Sequence, residues 1–141
     1  MYRLLTLTTN GHSSRNNNQT VLDDHRANLS KNRDEQLSHR KVYRPWGHYD
    51  LLGQGNDFKV KQIVISPGAK LSLQKHNYRA EHWVVISGIA TITCRNKTFN
   101  LGKNESTFIP KGELHRLINE EKVDLEIIEI QTGSYLGEDD I

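Results

Sequence analysis

The chain has 141 residues, a formal net charge of +2 and one cysteine, which allows one domain whose core buries about 60–65% of the unfolded surface. The positive excess sits at the front: residues 1–41 carry seven basic and four acidic side chains, the remainder twelve and thirteen, so the main body has no nucleic-acid footprint. Cys94 alone excludes an internal disulfide and suits a reducing compartment, and no run approaches the ~18 apolar residues of a membrane helix, so a cytoplasmic protein binding neither nucleic acid nor membrane is expected.

Residues 2–8 (YRLLTLT) are apolar over too short a stretch for a signal segment. Residues 10–20 (NGHSSRNNNQT) offer almost nothing to bury and read as disordered. From Thr20 to Lys41 only Leu22, Leu29 and Leu37 fall near helical repeats. Residues 1–41 are therefore expected to be a polar extension, disordered or weakly helical, ahead of a domain over residues 42–141.

From Phe58 the texture changes to short apolar or alternating runs: FKVKQIVI (58–65), KLSLQKH (70–76), EHWVVIS (81–87), ATITC (90–94), KTFNL (97–101), STFIP (106–110), HRLIN (115–119) and DLEIIEIQ (124–131). Turn formers such as Ser66-Pro67-Gly68, Ser87-Gly88 and Pro110-Lys111-Gly112 separate them. Runs spaced by about 8–12 residues with no helical stretch between them predict an all-β antiparallel sandwich or barrel. Gly68, Gly88 and Gly112 are expected at positive φ.

A group of ligand-type side chains stands out within these runs. Period-2 geometry puts Gln74 and His76 on one face of the 70–76 run, with Leu71 and Leu73 on the other. A hairpin return would bring the Glu81 carboxylate beside that pair, and His115 follows a sharp turn at the start of a later strand. Gln74, His76, Glu81 and His115 converging in a small barrel describe a site for one divalent metal ion with coordination positions to spare. The mixed nitrogen and oxygen donors leave Zn, Mn, Co or Fe open. Arg79 shares the parity of Glu81 and is placed at the cavity mouth. Trp83 and Val85 share it too and line the interior, whereas His82 faces outward. Lys59 and Lys61 occupy one face of their strand, and sequence does not say which face is inner.

The spacing Gly68-x5-Gln74-x-His76-x4-Glu81-x6-Gly88 resembles the first cupin motif, and Pro110-x-Gly112-x2-His115-x3-Asn119 the second. With glutamine in place of the usual first histidine, and with YRPWGHYD (43–50), RAEHWVV (79–85), IPKGELHRLIN (109–119) and IEIQTGSYLGEDDI (128–141), residues 42–141 resemble the type II mannose-6-phosphate isomerase domain. That domain forms the C-terminal part of bifunctional mannose-1-phosphate guanylyltransferase/mannose-6-phosphate isomerases. The resemblance implies a cupin double-stranded β-helix, a jelly-roll barrel, that isomerises mannose 6-phosphate to fructose 6-phosphate for GDP-mannose and polysaccharide synthesis. It makes Arg79 a catalytic and phosphate-binding residue, with Lys61 as a second substrate contact.

Three departures from the family pattern stand beside this. No glycine-rich nucleotide loop lies near the N-terminus, so guanylyl transfer by this chain is not expected; the family commonly continues past EDDI; and it commonly has arginine where Gln62 stands. A non-catalytic metal- or sugar-binding cupin, a remnant of the bifunctional enzyme, is the alternative function. A homodimer is the expected assembly, because a barrel edge can pair with a second copy.

Overall fold

Alternation makes the strands and aims their side chains. In Phe58–Ile65 (FKVKQIVI), Lys61, Ile63 and Ile65 are buried while Gln62 and Val64 stay half-exposed, and in Leu125–Gly133 (LEIIEIQTG) the buried set is Leu125, Ile127, Glu129 and Gln131. β-branched residues at these positions pack well on a pleated surface, and each one buried contributes about 1.5–3 kcal/mol. A computed structural model describes residues 41–141. They form nine strands: β1 Lys41–Arg44, β2 Gly47–Gln54, β3 Phe58–Ile65, β4 Arg79–Ser87, β5 Ala90–Cys94, β6 Lys97–Leu101, β7 Ser106–Ile109, β8 His115–Ile118 and β9 Leu125–Gly133. No helix occurs among the described residues. The expected polar extension falls, but for Lys41, outside them.

The strands build a six-stranded sheet in the order β1-β2-β3-β9-β4-β7 and a three-stranded sheet in the order β6-β5-β8. Every pairing within them is antiparallel. Ile63, Ile65, Trp83, Val85 and Ile127 from the larger sheet join Ala90, Ile92 and Leu117 from the smaller in one apolar cluster. Two glycines set the geometry. Gly88 turns β4 into β5 at φ 88, where a Cβ would sit 2.8 Å from the Asp124 carbonyl oxygen. Gly47, at φ 145, opens β2 where a Cβ would run into the Val64 carbonyl oxygen. Neither position admits another residue without strain.

The run at 70–76 is not a strand, contrary to the expectation from its pattern. It touches β8 through two isolated bridges, Lys70↔Ile118 and Gln74↔His115, which leave four steps on this side opposite three on β8. The extra residue makes a bulge and breaks the period of two. Leu71 consequently turns inward against the core while Leu73 is exposed. β1 and β2 lie ahead of the first run the sequence singled out, because Gly47, Gly53 and the polar residues between them hide the alternation.

Candidate functional site

Strand pairing brings the polar interior together. Across the larger sheet Lys61 lies opposite Glu129, which lies opposite Trp83; one row on, Lys59 faces Gln131, which faces Glu81. The side chains of Lys61, Glu129, Gln131 and Glu81 are all buried. The opposite wall comes from the irregular 70–76 segment and from β8, where the backbones of Gln74 and His115 exchange hydrogen bonds of 2.9 and 2.8 Å.

Three of the four expected ligands meet directly. One donor atom from each of His76, Glu81 and His115 lies within 4.8 Å of the others. His76 Nε2 is 3.1 Å from Glu81 Oε1, and His115 Nε2 is 3.6 Å from Glu81 Oε2. Each imidazole is fixed from behind by a backbone carbonyl: His76 Nδ1 donates to Asp140 O at 2.5 Å and His115 Nδ1 to Glu113 O at 2.9 Å. With the proton held on Nδ1, both rings present Nε2 to the same point, which is the arrangement a metal-binding histidine needs. Gln74 lines the same cavity at its rim; its amide nitrogen donates to Ser72 Oγ at 3.0 Å, and its carbonyl oxygen is the atom a cation would take.

The charges around this group are coupled. Burial tends to raise the Glu81 pKa, but the hydrogen bond and charge of His76, with Arg79 and His115, hold it at about 2. Burial lowers the His76 pKa and Glu81 more than offsets this, leaving it above the usual value. Burial dominates at His115 and leaves that imidazole below it. A carboxylate and two histidines set in this way fit a divalent cation.

Arg79 sits deeper than the mouth position expected for it. It is buried, with Nε 3.0 Å from Glu81 Oε1 and Nη2 3.3 Å from His76 Nε2, while Nη1 is buried without a hydrogen-bond partner among the described residues. Register opposite Gly133, which presents no side chain, makes room for it. Lys61 faces inward into a cavity of about 250 Å³ that Arg79, Glu81, His115 and Glu129 also line. Its ammonium lies 4.4 Å above the Tyr49 ring and 2.5 Å from Glu138 Oε1. Lys59 reaches Leu136 O at 2.8 Å, and Arg44, whose role sequence left open, lines the cavity. His82 is exposed and packs on Phe108 at 4.7 Å between ring centroids, outside the cavity as its parity predicted.

Two residues escaped the sequence reading. Glu129 accepts from Trp83 Nε1 at 3.1 Å and from Gln131 Nε2 at 2.7 Å. Burial, then the charge of Glu81, push its carboxyl up to about 7. The signal was available: Glu129 shares the parity of Leu125 and Ile127, so an acid sits in an inward register. Asp140 is the other. Besides receiving His76, its carboxylate accepts from the backbone N–H groups of Asn77 at 2.9 Å and Tyr78 at 3.0 Å, and no periodicity marks it.

Such a barrel, with two buried histidines and a glutamate clustered beside its cavity, is a cupin. An RmlC-like cupin from Shewanella frigidimarina superposes with a TM-score of 0.64 at 16% identity, covering 74% of this chain and 90% of that one, a likeness of fold. Residues 31–141 match the family described as mannose-6-phosphate isomerase C-terminal, and the chain belongs to that family. It is 57% identical over 112 residues to the alginate biosynthesis protein AlgA of Pseudomonas aeruginosa, covering 79% of this chain and 23% of that protein. It is 56% identical over 112 residues to the xanthan biosynthesis protein XanB of Xanthomonas campestris, covering 79% and 24%. The chain thus spans about a quarter of the length of the curated relatives it matches.

Proposed function

We propose that residues 42–141 form a metal-dependent isomerase domain that interconverts mannose 6-phosphate and fructose 6-phosphate, supplying GDP-mannose and polysaccharide synthesis in the cytoplasm. The observation that carries this reading is the convergence of His76, Glu81 and His115 on one point, beside a cavity that Glu81, His115, Arg79 and Lys61 line. Gln74, His76, Glu81 and His115 would hold one divalent ion, with Zn, Mn, Co and Fe all compatible with the donor set. When bound, the ion supplies Lewis-acid polarisation of the sugar oxygens at C1 and C2.

The chain's own residues account for the remaining tasks. Lys61 and Arg79 supply positive charge for the phosphate and for the enediolate that forms when C2 loses its proton; with Nε and Nη2 of Arg79 held by Glu81 and His76, Nη1 is the nitrogen left to meet an oxyanion. Glu129, with a pKa of about 7, is suited to take that proton and return it at C1, since a carboxyl poised near neutrality can work in both directions. Trp83 Nε1, shared between Glu81 Oε2 and Glu129 Oε2 at 3.1 Å each, holds the two carboxyls in fixed relation. A second copy of the chain is the proposed partner, because the outer strands β1 and β7 end the larger sheet and expose Tyr43 and Phe108.

Turnover of mannose 6-phosphate by the purified chain tests the reading, after chelation and after readdition of Zn, Mn, Co or Fe, with Glu81→Ala as control. Metal-restored turnover that the substitution abolishes is expected. Stoichiometric metal binding without turnover under any metal would overturn the isomerase reading in favour of a binding module.

A further inference from the structure

Three acids line the cavity, and they differ in exposure. Glu81 and Glu129 are buried, whereas the Glu138 side chain is 57% exposed and meets Lys61, which is 6% exposed, at 2.5 Å. A buried ammonium without an anion is costly. Glu129 is the neighbour of Lys61 in strand register, but its oxygens are engaged by Trp83 and Gln131. The counter-charge comes instead from residues 134–141, a segment pinned on both sides of Glu138. Lys59 holds Leu136 O at 2.8 Å, and the Asp140 carboxylate takes the N–H groups of Asn77 and Tyr78 at 2.9 and 3.0 Å. The Glu138 side chain can therefore leave Lys61 for solvent while the segment stays docked.

We propose that Glu138 is an internal anion that occupies Lys61 until the phosphate of a sugar phosphate displaces it, so that the cavity admits ligands by charge. Only the Glu138 partner is half-exposed, so its carboxylate regains water on leaving and gives way to another anion more readily than a buried one would. A phosphate dianion brings more charge and three acceptor oxygens to the same ammonium. A neutral hexose that pushed Glu138 aside would bring no charge to replace the one Lys61 gives up. The selected class is the sugar monophosphate, and the identity of the sugar rests on the isomerase reading above.

Titration of the full chain with inorganic phosphate tests this, by calorimetry and by the ammonium resonance of Lys61 in ¹⁵N-lysine-labelled protein. Glu138→Gln should bind phosphate about twofold to fivefold more tightly than the wild type, the gain expected from removing one half-exposed competitor. The Lys61 resonance should titrate with the same midpoint. Glu138→Ala is the second variant and carries the same expectation. Unchanged or weaker phosphate affinity in both variants, or a Lys61 resonance that phosphate does not move, would overturn the proposal. Tightening without isomerase turnover would sustain the anion exchange and sink only the isomerase reading; turnover without tightening would do the reverse.

Discussion

His76 and Asp140 are 64 residues apart, yet the ring nitrogen of one donates to the backbone carbonyl of the other at 2.5 Å. The Asp140 carboxylate anchors that carbonyl through Asn77 and Tyr78, so a residue near the end of the segment orients a candidate ligand near the front of the barrel. Asp140→Ala should lower divalent-metal affinity by about tenfold to a hundredfold, the usual cost of losing support behind a metal-binding histidine. Competition against a chromogenic chelator measures this, and circular dichroism checks that the barrel remains. Unaltered affinity would show that the 2.5 Å contact is incidental to the ring's orientation.

Arg79→Lys keeps the charge and loses the fork. Two of the arginine's nitrogens hold Glu81 and His76, and the third has no partner among the described residues. We expect kcat/KM for mannose 6-phosphate to fall by about a hundredfold, with metal content unchanged, because a point charge cannot replace both contacts. Loss of metal together with activity would instead make Arg79 a support for the ligands.

Glu129 gives a pH signature with a definite sign. An unfolded glutamate releases its proton near 4.5, whereas burial and the nearby Glu81 charge hold folded Glu129 to about 7. Between these values the native state binds more protons, so this group's contribution to stability falls as pH rises through the window and is level above it. Glu129→Gln, studied metal-free, should match the wild type below the window and gain on it progressively up to about pH 7. Urea midpoints across that range measure the difference, and a pH-independent difference would refute the assignment. The same variant should lose about 10²–10⁴ in kcat if Glu129 moves the proton.

Much of this was legible because antiparallel strands write their two faces into alternate letters. FKVKQIVI, ATITC and KTFNL coincide with β3, β5 and β6, and the His76, Glu81 and His115 convergence follows from motif spacing. The 70–76 segment was misread because a bulge leaves no trace in composition. The inward face of Lys61 depended on which side of β3 meets the core, a question that β9 decides from 60 and more residues away. Asp140 acts through a backbone carbonyl, which every residue has, and no side-chain pattern can announce that.

Gly133 lies opposite Arg79, and a Cβ there would meet Arg79 Cα at 3.0 Å and run into the Tyr78 carbonyl oxygen. Gly133→Ala should cost about 2–3 kcal/mol, because backbone rather than a flexible side chain must give way. It should also reduce isomerase turnover by displacing Arg79. Thermal denaturation and kinetics of the same preparation measure both, and a stable, fully active variant would show that the β4–β9 junction yields freely.

The rows that cross β3, β9 and β4 change character along the barrel: Lys59–Gln131–Glu81, then Lys61–Glu129–Trp83, then Ile63–Ile127–Val85. Chemistry occupies two adjacent rungs and structural packing begins at the third. A lineage altering what this barrel acts upon would have a short list of positions to vary, all reachable without touching the apolar rungs. Within those two rungs Glu81 is kept for the ion and Trp83 for the core, so Lys59, Gln131, Lys61 and Glu129 are the addresses an engineer would vary first.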